Sequence, residues 1–323
     1  MRKRTMSSVP VDRDGAIDAF RGLTIVLMFI ANYFEHIRTI PACLKHAPDI
    51  GITIVDFIAP FFIFAIGLTF AASVTKRAAR DGAFKAAEHV IKRAFALIGI
   101  GMMFSIGEHS FGFANSIVVW GVLQAIGVAI ILSFPFLFMP VFIRLSLALI
   151  LLGAYQWALD TYWLSTVLHS SHAGLPGSLS WALLLVLSTV FGDILRKSKS
   201  FWTVSAALLA IGIAAAFFFP ISKHRMSLSF VLITVSSGAI VFGGMRMLFK
   251  QKFDVPALRI VGTNPLVLYM THLLLLSVFL VPSVPWWHTD PPLWLAAVQG
   301  LLFISVLVWL GFAMYRRKAF VSL

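Results

Sequence analysis

A chain of 323 residues that is 59% hydrophobic and 12% charged is too apolar for a soluble fold, in which about a quarter of residues carry charge. Its net charge of +13 raises a nucleic-acid partner as a possibility, but the distribution of the basic residues fits a bilayer instead. The single cysteine, Cys43, excludes an internal disulfide and any cysteine-rich metal site.

Residues 1–16 are basic and polar, and they read as a cytoplasmic tail rather than a cleaved leader. The first apolar run starts near Leu23 and leads straight into a full span, with no evident cleavage site. Ten runs are long enough to cross hydrocarbon about 30 Å thick: 17–36, 52–75, 91–108, 115–134, 137–157, 178–195, 201–219, 227–249, 260–281 and 292–315. Only Phe134-Pro135 and Met139-Pro140 separate the fourth from the fifth. The expected fold is an all-α integral membrane bundle of about ten transmembrane helices. It forms one domain over 1–323 and ends in a second cytoplasmic tail at 316–323. No internal repeat is evident.

Lysine and arginine set the expected orientation. With the N-terminus in the cytoplasm, only Arg38, Lys45, Lys223 and Arg225 of the 26 basic residues fall in outer loops. The rest lie in inner segments or near inner helix ends, so both termini are expected inside. The outer loop 158–177 has no basic residue but carries His169 and His172. The outer loop 282–291 carries Trp286, Trp287 and His288 between prolines, and its tryptophans suit either interfacial anchoring or stacking on a sugar ring.

Polar residues inside the spans are the candidates for chemistry. Asp56 falls inside the second span, where an ion needs a strong reason to be. His46 stands ten residues earlier, on the loop entering that span. Asn32 lies about one turn from the outer end of the first span, and Gln124 and His272 reach comparable depth in the fourth and ninth. The competing reading for Asn32, Gln124 and His272 is interhelical hydrogen bonding, at about 0.6–2 kcal/mol each. For His46 it is a solvated loop position. Asp18 and Arg21 are three apart and can pair on one helix face, beside Gly22, which allows close helix approach. Pro265, near a helix start, carries little information alone, and Asn264 precedes it.

Together these motifs resemble the heparan-alpha-glucosaminide N-acetyltransferase family. Asp18-Ala19-Phe20-Arg21-Gly22, with an apolar helix ending in Asn32-Tyr33, is similar to the family's opening. Lys45-His46-Ala47, Gly51, Asp56, Pro60 and Gly67 continue the pattern. Trp120-Gly121-Val122-Leu123-Gln124 resembles its Gly-Val-Leu-Gln helix, and Gly262-Thr263-Asn264-Pro265 through Tyr269 and His272 its late helix. The similarity is dense over 15–132, patchy to 255 and visible again at 260–275.

The resemblance implies a polytopic acetyltransferase that takes acetyl-CoA from the cytoplasm and acetylates a sugar on the far side of the membrane. It places the family's active-site histidine on His46 and its asparagine on Asn32. The Asn32-to-His46 loop is longer here, and the lysosomal enzyme's additional first span and luminal domain have no counterpart. A bacterial-type member in the inner membrane, with a cell-envelope sugar as acceptor, is therefore expected.

The residues are consistent with that chemistry. An imidazole supplies a base or acyl acceptor near neutral pH, Asp56 its orienting counter-charge, and Asn32 or Gln124 a donor to an oxyanion. Arg21, Lys92 and Arg93, where helices meet the inner face, are the first candidates for the CoA phosphates. Asp18, Asn264 and His272 complete the candidate binding set. The expected partners are acetyl-CoA, an extracytoplasmic glycan or amino sugar and the bilayer, with a homodimer as candidate assembly. No metal and no nucleic acid are expected. The rival reading is a secondary transporter with a His/Asp proton relay, against which the missing repeats and paired broken helices argue.

Overall fold

The first helix, α1 (Gly15–Phe34), begins where Asp14 caps the chain, its carboxylate accepting the Ala16 N–H at 3.0 Å. The computed structural model describes residues 14–110, 117, 119–195, 197–251, 255–282 and 284–320. The basic stretch 1–13 and residues 321–323, parts of the expected tails, lie outside the described residues.

Regular structure among the described residues is helical throughout: α2 (Ile58–Asp81), α3 (Ala83–Ser110), α4 (Val122–Ser133), α5 (Val141–Ala158), α6 (Leu164–Leu168), α7 (Gly174–Ile194), α8 (Ser198–Ala215), α9 (Leu228–Lys250), α10 (Pro256–Val261), α11 (Pro265–Leu280), α12 (Pro285–His288) and α13 (Leu293–Arg316). Among the described residues, seven helical stretches are long and apolar enough to cross a membrane, and three shorter apolar ones are Val122–Phe138, Lys199–Ala215 and Pro265–Leu280. The protein is a multi-pass membrane protein.

Four boundaries differ from those read in the sequence. The second span does not start as helix at 52; a 3₁₀ turn, Ile54–Phe57, precedes α2, so Asp56 sits in a capped turn and not in the helix body. Residues 119–121 are not helical and α4 starts only at Val122, which moves Gln124 from the interior of a span to its first turn. The loop expected at 158–177 is mostly helical, because α5 runs on through a π-helical turn at Leu159–Trp163 into α6. The ninth span is broken at 262–264, since Pro265 has no N–H to donate and biases Asn264 away from helical ψ.

The described chain forms two compact units. One comprises Met1–His46, Thr53–Ile58 and Phe242–Leu323; the other comprises Ala47–Ile52 and Ala59–Val241.

In the first unit, α1 crosses the end of α10 backbone to backbone at Gly22 and Gly262. A Cβ on Gly22 would lie 1.9 Å from the Leu258 carbonyl oxygen, and one on Gly262 would lie 1.8 Å from that of Asp18. In hydrocarbon, apolar side chains gain little by leaving lipid, so such close backbone packing holds helices together. Aromatic rings fill the rest: Phe20 meets Phe242 edge-on at 5.6 Å, and Tyr33 stacks on Phe303 at 5.7 Å.

In the second unit, α7 is the most buried of the long helices. Arg144 of α5, 2% exposed, is held by Asp193 and by the Thr189 hydroxyl at 3.0 Å, both on α7. A buried guanidinium needs such compensation.

Candidate functional site

The segment between α1 and α2 folds around a carboxylate. Asp56 is fully buried, and an uncompensated buried ion would be costly. Thr53 caps the 3₁₀ turn, and its backbone N–H donates to Asp56 Oδ2 at 2.9 Å. The Thr53 hydroxyl lies 3.1 Å from the same oxygen and 2.7 Å from the Lys45 carbonyl oxygen, which draws residue 45 to the turn. The other carboxylate oxygen, Oδ1, sits 2.8 Å from Nδ1 of His46, whose side chain is 32% exposed. A carboxylate accepts, so the proton at this contact belongs on Nδ1, and in the neutral ring the lone pair is then on Nε2. Glu35, just past α1, accepts the His46 backbone N–H at 3.4 Å.

A second pair forms deeper in the same unit. His272 of α11 is fully buried, with Nδ1 directed at the Tyr269 carbonyl oxygen one turn earlier. That contact fixes the tautomer: Nδ1 donates, and Nε2 accepts from the Asn32 amide nitrogen at 2.8 Å. Phe29 packs 5.4 Å from the His272 ring. Asn32 is therefore oriented by His272. The two pairs share a base, because Ala31 of α1 forms one buried cluster with Val55 and Ile58, with Leu27 and Met28 against it.

Other expected site residues lie elsewhere. Asp18 and Arg21 pair at 3.4 Å, but Asp18 is 14 residues before Asn32, about 21 Å along α1. Asn264 caps α11, about 12 Å along the helix from His272, and donates to the Ala319 carbonyl oxygen at 3.0 Å. Asn264 and His272 are both buried within the protein. Lys92, Arg93 and Gln124 belong to the second unit. Lys92 is exposed and ion-paired with Glu88, while Nε of Arg93 is buried with no hydrogen-bond partner among the described residues. The Gln124 amide is taken up locally: Oε1 accepts the Gly121 N–H at 3.2 Å, and Nε2 lies 3.3 Å from Ser105 Oγ and 3.2 Å from the Val119 carbonyl oxygen.

Some participants had no role in the sequence reading. Thr53 carried a usable signal, since Thr53 followed three residues later by Asp56 is a helix-start pattern. Glu35 and the Tyr269 carbonyl act through backbone groups or chain reversals that the sequence leaves unmarked. Near the end of α1, His36 is held below the ordinary imidazole range. Loss of hydration is the main cause, Glu35 opposes it, and His288 and Lys45 reinforce it.

This stretch of chain also matches known proteins. The family model for the catalytic region of heparan-alpha-glucosaminide N-acetyltransferase matches residues 13–176, half of the chain. The chain belongs to this family. The mouse heparan-alpha-glucosaminide N-acetyltransferase is 31% identical over 115 residues, 35% of this chain and 17% of the mouse protein. The human enzyme is 30% identical over 126 residues, 38% of this chain and 18% of the human one. The chain thus spans less than a fifth of the length of these curated relatives. Asn32, His46 and Asp56 lie within the residues matched by the N-acetyltransferase family model, whereas His272, which orients Asn32, lies beyond them.

Proposed function

We propose that the protein is a membrane-embedded acetyltransferase that takes an acetyl group from cytoplasmic acetyl-CoA and places it on an amino or hydroxyl group of an extracytoplasmic glycan sugar. The observation that carries this reading is a buried carboxylate aligned on Nδ1 of a partly exposed imidazole, beside an oriented amide. Two routes use it. In direct transfer, Nε2 of His46 takes the proton of the attacking amine or hydroxyl as the bond to the acetyl carbon forms. The C–S bond then breaks, and the CoA thiolate takes the proton back from the imidazolium. In the stepwise route Nε2 attacks the thioester carbon, CoA leaves, and the acetyl-imidazole passes its acetyl group to the acceptor. In both, the Asp56 carboxylate stabilises positive charge on His46. An N–H of Asn32 not spent on His272 suits the carbonyl oxygen as negative charge develops there.

In this reading the whole chain, 1–323, works as one transmembrane acyltransferase domain in a bacterial inner membrane, with both termini cytoplasmic. The basic residues of the inner face meet the CoA phosphates. Arg93 is the strongest candidate, because Lys92 shares its charge with Glu88 and Arg21 with Asp18.

Purified protein given acetyl-labelled acetyl-CoA and an amino sugar should transfer the label to the sugar. His46→Ala should lower the rate by on the order of 10³-fold while CoA binding persists. Near-wild-type turnover in that variant would remove His46 from the chemistry. Solute uptake into vesicles without any acetyl transfer would favour a transporter.

A further inference from the structure

A small cavity lies at the end of α1, within the first unit, lined by Tyr33, His36, Phe279, Trp287, His288 and Gln299 among others. Its walls are fixed. Trp287 stacks on Phe279 at 6.1 Å and 13°, and Tyr33 meets Phe279 edge-on at 6.2 Å. The Tyr33 hydroxyl donates to Gln299 Oε1 at 2.8 Å, Gln299 Nε2 donates to the Trp287 carbonyl oxygen at 3.1 Å, and the Trp287 indole N–H donates to the Phe279 carbonyl oxygen at 3.1 Å. The α12 turn is tied down from outside: Arg38 N–H donates to the Thr289 carbonyl oxygen at 2.8 Å, and its guanidinium pairs with Asp290 at 3.2 Å.

The wall groups therefore satisfy one another, and two imidazoles are the exception. Nδ1 of His288 is buried and has no hydrogen-bond partner among the described residues. His36 stands at the rim, exposed on one side, and the wall on its other side favours the neutral ring. A neutral imidazole offers one donor and one acceptor, which is the pattern a hydroxyl group answers. Orphaned buried polar atoms call for a partner. Aromatic rings line the approach, including Trp286, which is 57% exposed and perpendicular to Trp287.

The cavity also adjoins the proposed chemistry. Tyr33 and His36 follow Asn32 within one turn, Glu35 between them accepts the His46 backbone N–H, and Lys45 lies within electrostatic reach of His36. The space has room for about one hydroxyl-sized group and for no ring. The group that projects from a sugar ring on a single carbon is its exocyclic CH₂OH.

We propose that this cavity is an acceptor subsite that takes the hydroxyl of the sugar's hydroxymethyl arm between His36 and His288, with the methylene carbon at its mouth, the ring against the tryptophans and the reacting group toward His46. The proposal rests on the acetyltransferase reading. Two probes test it: D-glucosamine and its 6-deoxy analogue, followed by saturation-transfer NMR on the detergent-solubilised full chain. Binding is measured on His46→Ala, so that the result does not depend on turnover. D-Glucosamine should bind saturably and the 6-deoxy analogue at least about tenfold more weakly, a difference worth about 1.4 kcal/mol. His288→Phe should erase that discrimination, and His288→Gln, which keeps a donor and an acceptor, should restore part of it. In the otherwise wild-type enzyme, His288→Phe should raise the KM for D-glucosamine and leave that for acetyl-CoA unchanged. Equal binding of the two probes, no binding of either, or discrimination that survives His288→Phe would overturn the subsite. Binding and discrimination as expected with no acetyl transfer by wild type would instead sink the acetyltransferase reading.

Discussion

Two carboxylates seven residues apart in one loop meet different partners. Asp49, in the second unit, is bound by Arg225, with Nε 2.9 Å from Oδ1 and with Ser222 Oγ at the same distance from that oxygen. Asp56, in the first unit, is bound by Thr53 and His46. A guanidinium is charged at every accessible pH, so Asp49–Arg225 is a permanent clamp; its ion pair holds the Asp49 carboxyl below the usual carboxylate range. An imidazole can carry either one or two ring protons, so the proposed chemistry at His46 uses the neighbouring anion in a way that a guanidinium does not permit. The same carboxylate thus meets a fixed charge at one position and a titratable ring at the other.

The comparison breaks hardest at Asp56. Asp56→Asn removes the acceptor that fixes the His46 tautomer, and turnover should fall by on the order of 10³-fold. Acetyl-CoA binding, measured by titration, should remain. A variant that turns over normally would show that Asp56 only caps its turn. A smaller loss is expected one layer away: His272→Phe should lower kcat by about 10–100-fold through a misplaced Asn32. Combined with Asn32→Ala it should add nothing further, since both changes remove the same contact. Additive losses in steady-state kinetics would give His272 a separate task.

The mildest expectation concerns Asp49. Asp49→Asn should leave turnover unchanged and lower the melting temperature by a few degrees near neutral pH, an effect of about 1 kcal/mol. Because the folded-state pKa of Asp49 is depressed, its stabilisation is fully present above the unfolded carboxyl value of about 4 and disappears as pH falls below that value toward the depressed one. A melting profile from pH 6 to pH 3 should therefore slope less in Asp49→Asn than in wild type. Parallel profiles would remove the clamp from the acid response.

Much of this architecture was legible before any coordinates. Apolar runs marked the helices, and Pro135 and Pro140 correctly separated Val122–Ser133 from Val141–Ala158. Gly22 was recognisable as a close-approach position. Its partner, the Leu258 carbonyl, lies more than 230 residues away in sequence, and no local pattern announces it. The expected depth of Asp56 was inexact, since the carboxylate sits in a capped turn and not inside a helix. Gln124 misled because composition gives apolarity but not the start of the helix; its amide serves the first turn of α4. His36 and His288 are 252 residues apart in sequence, and only the folding of α12 against the end of α1 makes them a pair of cavity-lining groups.

The separation of 240 positions between Asn32 and His272 also has a consequence for biogenesis. The ribosome delivers α1 first, and its lasting partners α10, α11 and α13 come last. Until then the Gly22 surface and the Asn32 amide have neither their crossing helix nor their imidazole. The second unit is completed in that interval, so α1 must wait in the bilayer for the end of the message. Long-range closure of this kind is slow and exposes intermediates. Ribosome stalling ahead of α10 should therefore yield an inserted chain whose first helix remains open to a membrane chaperone or a quality-control protease.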